Sequence, residues 1–279
     1  MQTREQIIRL FKAGFVDLDY VNALWLEGSD GLGKADEFSD LDFWFDVNDG
    51  HEVQVLDHCI ELLQTLAELD FVEHYEHPHP KIFQRNAHLR GTSEYLMIDI
   101  CVQSHSRGKE GCTFVEGDVA EYPLVLFDKQ SVVSIVPAPP VDLAFIESKY
   151  KECLETFQQR ARVVKYLRRG KYLEALAYYH KYVCAQIVNL FRLVYTPRHY
   201  EYGLVHISDH LPGEVVAKLE RLYQVKSLEE IESNLAFADD LFLQAQRLVE
   251  KTYGAPGFHA STLAHPASTL AHPASPARS

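Results

Sequence analysis

Two acidic residues stand two positions apart where an apolar segment begins. Asp40 and Asp42 flank Leu41 and lead into the apolar run Phe43–Val47. Successive side chains of a strand point to opposite faces, so a strand here would project both carboxylates from one side. Two carboxylates on one face repel each other, and a divalent cation between them relieves that repulsion. The spacing therefore predicts a metal-binding acid pair.

A Gly-Ser pair precedes these acids. Gly28-Ser29 follows the apolar run from Val21 to Leu26, and ten residues separate Ser29 from Asp40. A turn of this kind after a strand offers backbone N–H groups and a hydroxyl, which hold phosphate where a strand passes into a helix. A phosphate-binding turn beside a metal-binding acid pair indicates phosphoryl or nucleotidyl transfer.

The complete pattern is Gly28-Ser29, then Gly33, then Ser39-Asp40-Leu41-Asp42. It resembles the active-site motif of the DNA polymerase β-like nucleotidyltransferases, and within them most closely the lincosamide and aminoglycoside nucleotidyltransferases. Many members carry Lys or Arg immediately before the second glycine, where this chain has Leu32. Lys34, two residues further on, is the candidate replacement.

The resemblance implies a third carboxylate on a neighbouring strand. In the segment 94–102, EYLMIDICV, Asp99 is the single acid among the apolar residues of the second half. A carboxylate in the middle of a buried strand needs a partner. We expect Asp99 to be the third metal ligand; the alternative is a strand-end aspartate paired with Lys or Arg.

The resemblance also implies the chemistry. Asp40, Asp42 and Asp99 would bind two Mg²⁺ ions, and an NTP, expected to be ATP, would donate its nucleoside monophosphate to an acceptor hydroxyl. The residues expected to bind the nucleotide are Gly28, Ser29, Lys34 and Ser39. Relatives often add a general base after the third strand, and the candidates there are His105 and Glu110. Either residue is also compatible with a solvated loop position.

Composition limits the kind of partner. The chain has 279 residues and a net charge of −13, and residues 1–140 contain 10 Lys+Arg against 25 Asp+Glu. Nucleic-acid binding depends on cationic side chains that neutralise phosphates, so this acidic half disfavours nucleic acid and suits a small cationic acceptor. No apolar run is long enough to cross a membrane. Five scattered cysteines and the lack of a signal-peptide core predict a cytoplasmic protein with reduced thiols.

Hydrophobic periodicity divides the chain. A mixed α/β (α+β) nucleotidyltransferase domain is predicted over residues 1–137, and it begins with an amphipathic helix. Three prolines between 137 and 140 break the pattern, and residues 141–254 have the helical spacing of an all-α bundle. Residues 255–279 contain the sequence STLAHPA twice and predict a disordered tail. The predicted strands are 21–27, 41–47, 71–75, 81–84, 94–102 and 124–127; the predicted helices include 53–69, 146–170, 176–196, 213–225 and 227–252.

Three further groups of residues have open interpretations. The basic cluster between Arg160 and Lys171 is either a solvated helix face or a source of charge for the triphosphate. The polar loop Arg198–Pro212, with Arg198, His206 and Asp209, either contacts the acceptor or is a packed structural loop. The histidines in HYEHPHP, residues 74–80, do not have the spacing of a metal site and favour a hairpin turn.

We therefore predict a Mg²⁺-dependent nucleotidyltransferase that modifies a hydroxyl of a small molecule, with an aminoglycoside or a lincosamide as the model acceptor. Two alternatives remain from the sequence. One is transfer to a protein or a tRNA, as in toxin–antitoxin nucleotidyltransferases. The other is a catalytically inactive nucleotide-binding regulator. The oligomeric state is open.

Overall fold

A computed structural model describes residues 3–254 of the chain, and the repeat-containing tail lies outside the described residues. The chain divides into two compact units between Pro140 and Val141. No helix within the described range is both long and apolar enough to span a bilayer.

The first unit is built from α1 (Arg4–Phe15), β1 (Val21–Leu26), α2 (Gly28–Gly31), β2 (Leu41–Val47), α3 (Glu52–Leu66), β3 (Leu69–Tyr75), β4 (Ile82–Leu89), β5 (Ile98–Ser104), β6 (Thr113–Val115), β7 (Leu124–Asp128) and β8 (Ser134–Val136). A six-stranded mixed sheet forms its centre, in the order β3-β4-β5-β2-β1-β7. Within this sheet the central pair β2–β5 is parallel, and the other neighbouring strands run antiparallel.

One face of this sheet buries the apolar core. Alternate residues of β2, among them Phe43 and Phe45, point toward α1 and α3 and are fully buried. Phe11 and Phe15 of α1 pack on them, with the Phe11 and Phe43 rings 4.6 Å apart. The rings of Phe11, Phe15, Phe43 and Phe45 are all fully buried, and burial of such large apolar side chains stabilises the packing of the helix on the sheet. The core therefore holds β2 and β5 in place from behind.

The other face carries polar and indole side chains. Trp25 and Trp44 stack on it with ring centroids 6.1 Å apart. These indoles belong to a small core with Cys112 and Phe114, and Phe114 lies on β6, which pairs in parallel with β8. This small core shields the indole side of the face from solvent, and the face stays open at the start of β2 and β5.

The second unit is helical. Its elements are α4 (Leu143–Phe157), α5 (Ala161–Leu167), α6 (Tyr172–Tyr179), α7 (Ala185–Tyr195), α8 (Ile207–His210), α9 (Gly213–Tyr223) and α10 (Leu228–Tyr253). A single apolar core joins them, and residues such as Ile187 and Leu241 are buried in it. The mixed α/β first half and the all-α second half agree with the predicted fold class.

Several element boundaries differ from prediction. β4 continues to Leu89, beyond the predicted end at residue 84, because β3 and β5 pair with it on both sides. The predicted helix 146–170 is interrupted by a 3₁₀ turn at Gln158–Arg160, which rotates the following face so that Val163 is buried and Ala161 is exposed. The helix 176–196 contains a π-helical segment at His180–Cys184. At the start of α10 the Ser227 hydroxyl accepts from the Glu230 N–H, and the Glu230 carboxylate accepts from the Lys226 N–H.

Candidate active site

Asp42 and Asp99 lie side by side on the open face of the sheet. They are direct partners in the parallel β2–β5 register. Both side chains point away from the apolar core, since Leu41 and Phe43 on β2 and Ile98 and Ile100 on β5 point into it. The backbone thus brings together Asp42, one member of the predicted Asp40–Asp42 pair, and Asp99, the expected third ligand. From here on, the acid pair is Asp42 and Asp99.

Gly28 makes room for the Asp42 carboxylate. Its φ is +56°, and a Cβ added there would lie 2.1 Å from Oδ2 of Asp42. The backbone N–H of Glu27 also donates to the Asp42 carbonyl at 3.0 Å. Only glycine permits both this backbone conformation and this close approach. The glycine of the motif therefore serves the carboxylate as well as the turn.

Ser29 lies in the short helix α2 directly after this glycine. Its hydroxyl oxygen is buried and has no hydrogen-bond partner among the described residues. A buried hydroxyl without a partner loses its hydration and gains nothing in return, at a cost of about 1–3 kcal/mol. A ligand atom at this position would remove that cost, as phosphate oxygens do at such turns.

Arg4 ties the motif together, and sequence reasoning missed it. Its guanidinium donates to Oδ2 of Asp30 at 2.7 Å, to the carbonyl of Ser39 at 2.5 Å and to the carbonyl of Asp40 at 2.6 Å. The first helix thus holds both ends of the loop between Gly28 and Asp42. The signal was weak, because an arginine in the first turn of an amphipathic helix resembles any solvated cation.

The carboxylates of this face are crowded. Burial raises the pKa of Asp42 to about 7, and the charges of Asp40, Asp99 and Asp30 contribute to the increase. Burial, together with the charge of Asp40, also raises the pKa of Asp99. Like charges in a partly desolvated place disfavour the ionised forms unless a cation joins them.

Glu27 adds another carboxylate that sequence reasoning overlooked. It follows β1 directly, and its Oε1 accepts from Nε1 of Trp25 at 2.8 Å. Burial raises its pKa to about 7, and the charges of Glu121 and Asp42 add to this. Its position immediately before the glycine of the motif was the available signal.

Two amide side chains of β4 lie next to Asp99. Gln84 donates from Nε2 to both carboxylate oxygens of Asp99, at 2.8 and 2.7 Å. Asn86 is the direct register partner of Asp99, and its Oδ1 is buried without a hydrogen-bond partner among residues 3–254. Gln84 ends the predicted strand 81–84 but was not singled out as a site residue, and Asn86 lies beyond the predicted end of that strand.

The carboxylates fit Mg²⁺ by chemistry, since this ion prefers hard oxygen ligands and their mutual repulsion favours a cation. Within the described range, however, no three His, Cys, Asp or Glu side chains converge closely enough to form a metal centre. The two predicted metal ligands that the strand register places side by side are Asp42 and Asp99. Asp40 precedes β2 and is exposed, so the alternation of a strand does not govern its direction.

Ser39 and Lys34 are the other residues predicted to bind the nucleotide, and their hydrogen bonds lie within the motif loop. The Ser39 hydroxyl is used within its own loop, where it donates to Oδ1 of Asp36 at 2.8 Å and accepts from the Asp36 N–H. Lys34 is exposed, and its backbone N–H donates to the Ser29 carbonyl at 2.8 Å. This main-chain hydrogen bond fixes the position of Lys34 after the turn.

His105 is not brought to the acid pair. Its Nδ1 lies 2.7 Å from Oδ1 of Asp46, a fully buried carboxylate that also accepts from Asn22 and Gln103. Asp46 stands four residues beyond Asp42 on the same strand, about 13 Å away at 3.3 Å per residue. His105 therefore lies near the opposite end of the strands. Glu110 begins a 3₁₀ turn, and its side chain is outside what the structure describes.

The helical unit contains the polar loop between Arg198 and Pro212. A 3₁₀ segment, Pro197–Tyr202, and α8 give it defined structure. Arg192 is fully buried beneath the loop and donates to the carbonyls of Gly203 at 2.9 Å and Val205 at 2.6 Å. These contacts support the interpretation of a packed loop. In the basic cluster, Arg160 forms a salt bridge of 3.0 Å with Asp239.

Comparison with known proteins gives one family and several structural neighbours. The family described as streptomycin adenylyltransferase matches residues 1–258. An aminoglycoside 6-adenyltransferase from Bacillus subtilis is similar in structure, with 14% identity, coverage of 90% of this chain and 92% of that chain, and a TM-score of 0.38. A candidate nucleotidyltransferase from H. pylori has 14% identity, coverage of 89% and 94%, and a TM-score of 0.28. The search of curated protein sequences gives no significant match.

Proposed function

Because the chain belongs to the streptomycin adenylyltransferase family and is a nucleotidyltransferase, we propose that it transfers AMP from ATP to a hydroxyl of a small cationic acceptor, with aminoglycoside antibiotics as the model class. The observation that carries this proposal is the in-register pair Asp42–Asp99 beside the Ser29 hydroxyl, which is buried and lacks a partner. Acid pair and phosphate-binding turn are the two parts that nucleotidyl transfer requires.

The roles of the residues follow from their placement. Asp42 and Asp99, with Asp40 close enough to act on both electrostatically, would hold Mg²⁺. When bound, Mg²⁺ neutralises triphosphate charge and lowers the pKa of a coordinated hydroxyl. Ser29 and the N–H groups of its turn bind phosphate oxygens. Gln84 fixes the orientation of Asp99 through both of its oxygens.

The reaction is an in-line displacement at the α-phosphorus. The acceptor oxygen forms a bond to phosphorus, the bond from phosphorus to the β-bridging oxygen breaks, and pyrophosphate leaves. The acceptor proton passes to solvent. The acidic surface of residues 1–140 favours a cationic acceptor over the anionic backbone of a tRNA, since it repels phosphates.

The test is pyrophosphate release from ATP, GTP, CTP and UTP with Mg²⁺, in the presence of streptomycin, other aminoglycosides or lincosamides. We expect release that requires ATP and an aminoglycoside. Asp42→Asn should abolish it and leave the fold intact, because the variant relieves repulsion among crowded carboxylates. Asp17→Asn, at an exposed carboxylate after α1, is the matched control and should keep full activity.

Three outcomes would change the conclusion. Full activity in Asp42→Asn would remove the acid pair from the mechanism. Release that depends on a protein or tRNA acceptor would change the substrate class. Nucleotide binding without release for any acceptor would indicate a regulator.

A further inference from the structure

A row of side chains crosses the open face of the sheet through Asp99 and continues onto β4 and β3. Asp99 is the register partner of Asn86, and Asn86 is in turn the register partner of Glu73 on the edge strand β3. Directly opposite residues of antiparallel strands point to the same face, with Cβ atoms about 4.5–5.5 Å apart. Glu73 therefore lies on the face that carries the acid pair, about 10 Å from Asp99 at two strand spacings of about 4.8 Å.

This row extends away from the side of the sheet that holds the Gly28-Ser29 turn. The turn follows β1, which flanks the acid pair on one side, and β4 flanks it on the other. In an in-line displacement the attacking oxygen and the leaving pyrophosphate lie on opposite sides of the phosphorus. A triphosphate bound at Ser29 would direct its pyrophosphate toward β1, so the acceptor hydroxyl approaches from the side of β5 and β4.

The amide oxygen of Asn86 lacks a donor on that side. Its Oδ1 is buried and has no hydrogen-bond partner among residues 3–254. Loss of hydration without a compensating hydrogen bond destabilises the folded protein. The neighbouring amide of Gln84 is already used, because its Nε2 donates to both oxygens of Asp99. A hydroxyl or a cationic N–H group of a bound molecule would supply the missing donor next to Asp99.

Glu73 provides a negative charge at the outer end of the row. Its side chain is exposed on the edge strand. The basic side chains of β4 and of the residue that follows it are paired with other carboxylates: Arg85 with Asp57, His88 with Asp70 and Arg90 with Glu68. None of these three bases is therefore committed to Glu73, and its charge is complementary to a cationic ligand.

Two exposed aromatic rings flank Glu73. Phe71 and Tyr75 stand two residues to either side of it on β3, so strand alternation directs both rings to the same face. Their exposed fractions are 42% and 49%. Such rings provide apolar surface for the carbon skeleton of a saturated ring and π-faces for a cation. Carboxylate, amide oxygen and rings together fit a molecule with several hydroxyl groups and at least one ammonium or guanidinium group.

We infer that the row Asp99–Asn86–Glu73, with Phe71 and Tyr75, is the acceptor subsite and binds a polyhydroxylated ring that carries a cationic group. The inference rests on the proposed function, because it assigns a place to the acceptor of that reaction. The Glu73 carboxylate binds the cationic group, the Asn86 oxygen accepts from a ring substituent, and the reacting hydroxyl lies over Asp99.

The experiment measures steady-state rates with streptomycin and ATP, and streptomycin binding to the nucleotide-free protein by calorimetry. We expect Glu73→Gln to raise the KM and the Kd for streptomycin about tenfold, as for a lost hydrogen bond to a charged group. Phe71→Ala should raise both about fivefold through loss of the ring contact. The KM for ATP should stay within about twofold of wild type in both variants, because the nucleotide binds at the other side of the acid pair.

Two control variants match these changes. Glu61→Gln removes an exposed carboxylate from α3, which packs on the core face of the sheet. Val72→Ala alters a side chain of β3 that is exposed to a similar extent, at 40%, but alternation directs it to the face opposite Phe71. Both controls should leave the KM and the Kd for streptomycin within about twofold of wild type.

Asn86→Leu gives an independent readout, since leucine keeps the branched shape without the polar atoms. The variant removes a buried oxygen that has no donor, so the urea midpoint of the ligand-free protein should stay the same or rise. The KM for streptomycin should nevertheless rise about tenfold. A lower urea midpoint with an unchanged streptomycin KM would show that Asn86 is a structural residue and would overturn its place in the subsite.

Streptomycin constants that stay within about twofold of wild type in folded Glu73→Gln and Phe71→Ala would overturn the inference while the proposed function stands. An equal rise in the ATP and streptomycin KM values would do the same. Streptomycin binding that weakens in these variants, without turnover in the wild type, would refute the proposed reaction and keep the subsite. Neither binding nor turnover with any aminoglycoside would refute both.

Discussion

Replacement of Gly28 by alanine tests the close packing of the motif turn on Asp42. The added Cβ would lie 2.1 Å from Oδ2 and 3.2 Å from Cγ of that aspartate. An ordinary non-bonded contact is about 3.5 Å, so the two groups must separate by about 1.4 Å. The residue also has φ +56°, which costs a non-glycine residue about 1–2 kcal/mol.

The two effects give different readouts. Overpacking adds about 1–3 kcal/mol to the backbone cost, so Gly28→Ala should lose about 2–5 kcal/mol of unfolding free energy. A displacement of about 1 Å in a catalytic group costs about 100-fold in rate. We therefore expect kcat/KM for pyrophosphate release to fall at least about 100-fold, while residual folded protein remains measurable by circular dichroism.

Gly117→Ala is the matched control. Gly117 has φ +71° and no atom within 4 Å of an added Cβ, so it carries the backbone cost without the clash. It should lose about 1–2 kcal/mol in a urea titration and keep full activity. If the kcat/KM of Gly28→Ala stays within about threefold of this control, the contact with Asp42 does not matter for catalysis and the reasoning is refuted.

Three further predictions concern groups away from the nucleotide turn. Arg4→Ala removes four hydrogen bonds to the motif loop and should lower kcat about tenfold. Arg9→Ala, on the exposed side of the same helix, should leave kcat unchanged, and equal rates for the two variants would show that the contacts of Arg4 are dispensable. Arg192→Met leaves the buried carbonyls of Gly203 and Val205 without donors, so it should reduce the unfolding free energy by about 3 kcal/mol. The control Arg168→Met, at an exposed position, should reduce it by less than about 0.5 kcal/mol, and urea titration measures both. Burial lowers the pKa of His88, but hydrogen bonds with the Asp70 carboxylate and the Ser93 carbonyl outweigh it and raise the pKa above 6.5. The stabilisation is therefore fully present below pH 6.5 and is lost as the pH rises through the folded-state pKa. In thermal melts, the stability advantage of wild type over His88→Gln, about 0.5 kcal/mol at pH 5.5, should shrink by pH 8.5. A difference that stays constant with pH would exclude this linkage.

The local part of the site could be predicted from the sequence because it is encoded in short spacings. Gly28-Ser29 and Asp42 lie within one strand–turn–strand segment, and Asp99 was the single acid among the apolar residues 96–102. Strand alternation and the resemblance to the nucleotidyltransferases were enough to place these residues. Their roles as ligands remain a prediction.

The parts that sequence reasoning missed depend on pairing between distant segments. Asn86 lies on the site because β4 continues past the predicted end at residue 84, where β3 and β5 pair with it on both sides. Gln84 was predicted to be on a strand, but its hydrogen bonds to Asp99 depend on the pairing of β4 with β5. His105 directly follows β5, which also carries Asp99. Because Asp99 lies near the start of β5 and His105 follows its end, the length of the strand separates them. Arg4 reaches the loop from a helix 26 residues away in sequence, and periodicity contains no information about such a contact.

The parallel ladder between β2 and β5 also has a consequence for how the enzyme can change over time. The spacing of Asp42 and Asp99 is set by main-chain hydrogen bonds, not by the shapes of the side chains behind them. Substitutions in the α1 and α3 core will therefore alter melting temperature well before they disturb the spacing of the two acids. Such a protein can accumulate extensive neutral divergence in its interior, and laboratory evolution for stability can rewrite that interior without selection for activity at each step.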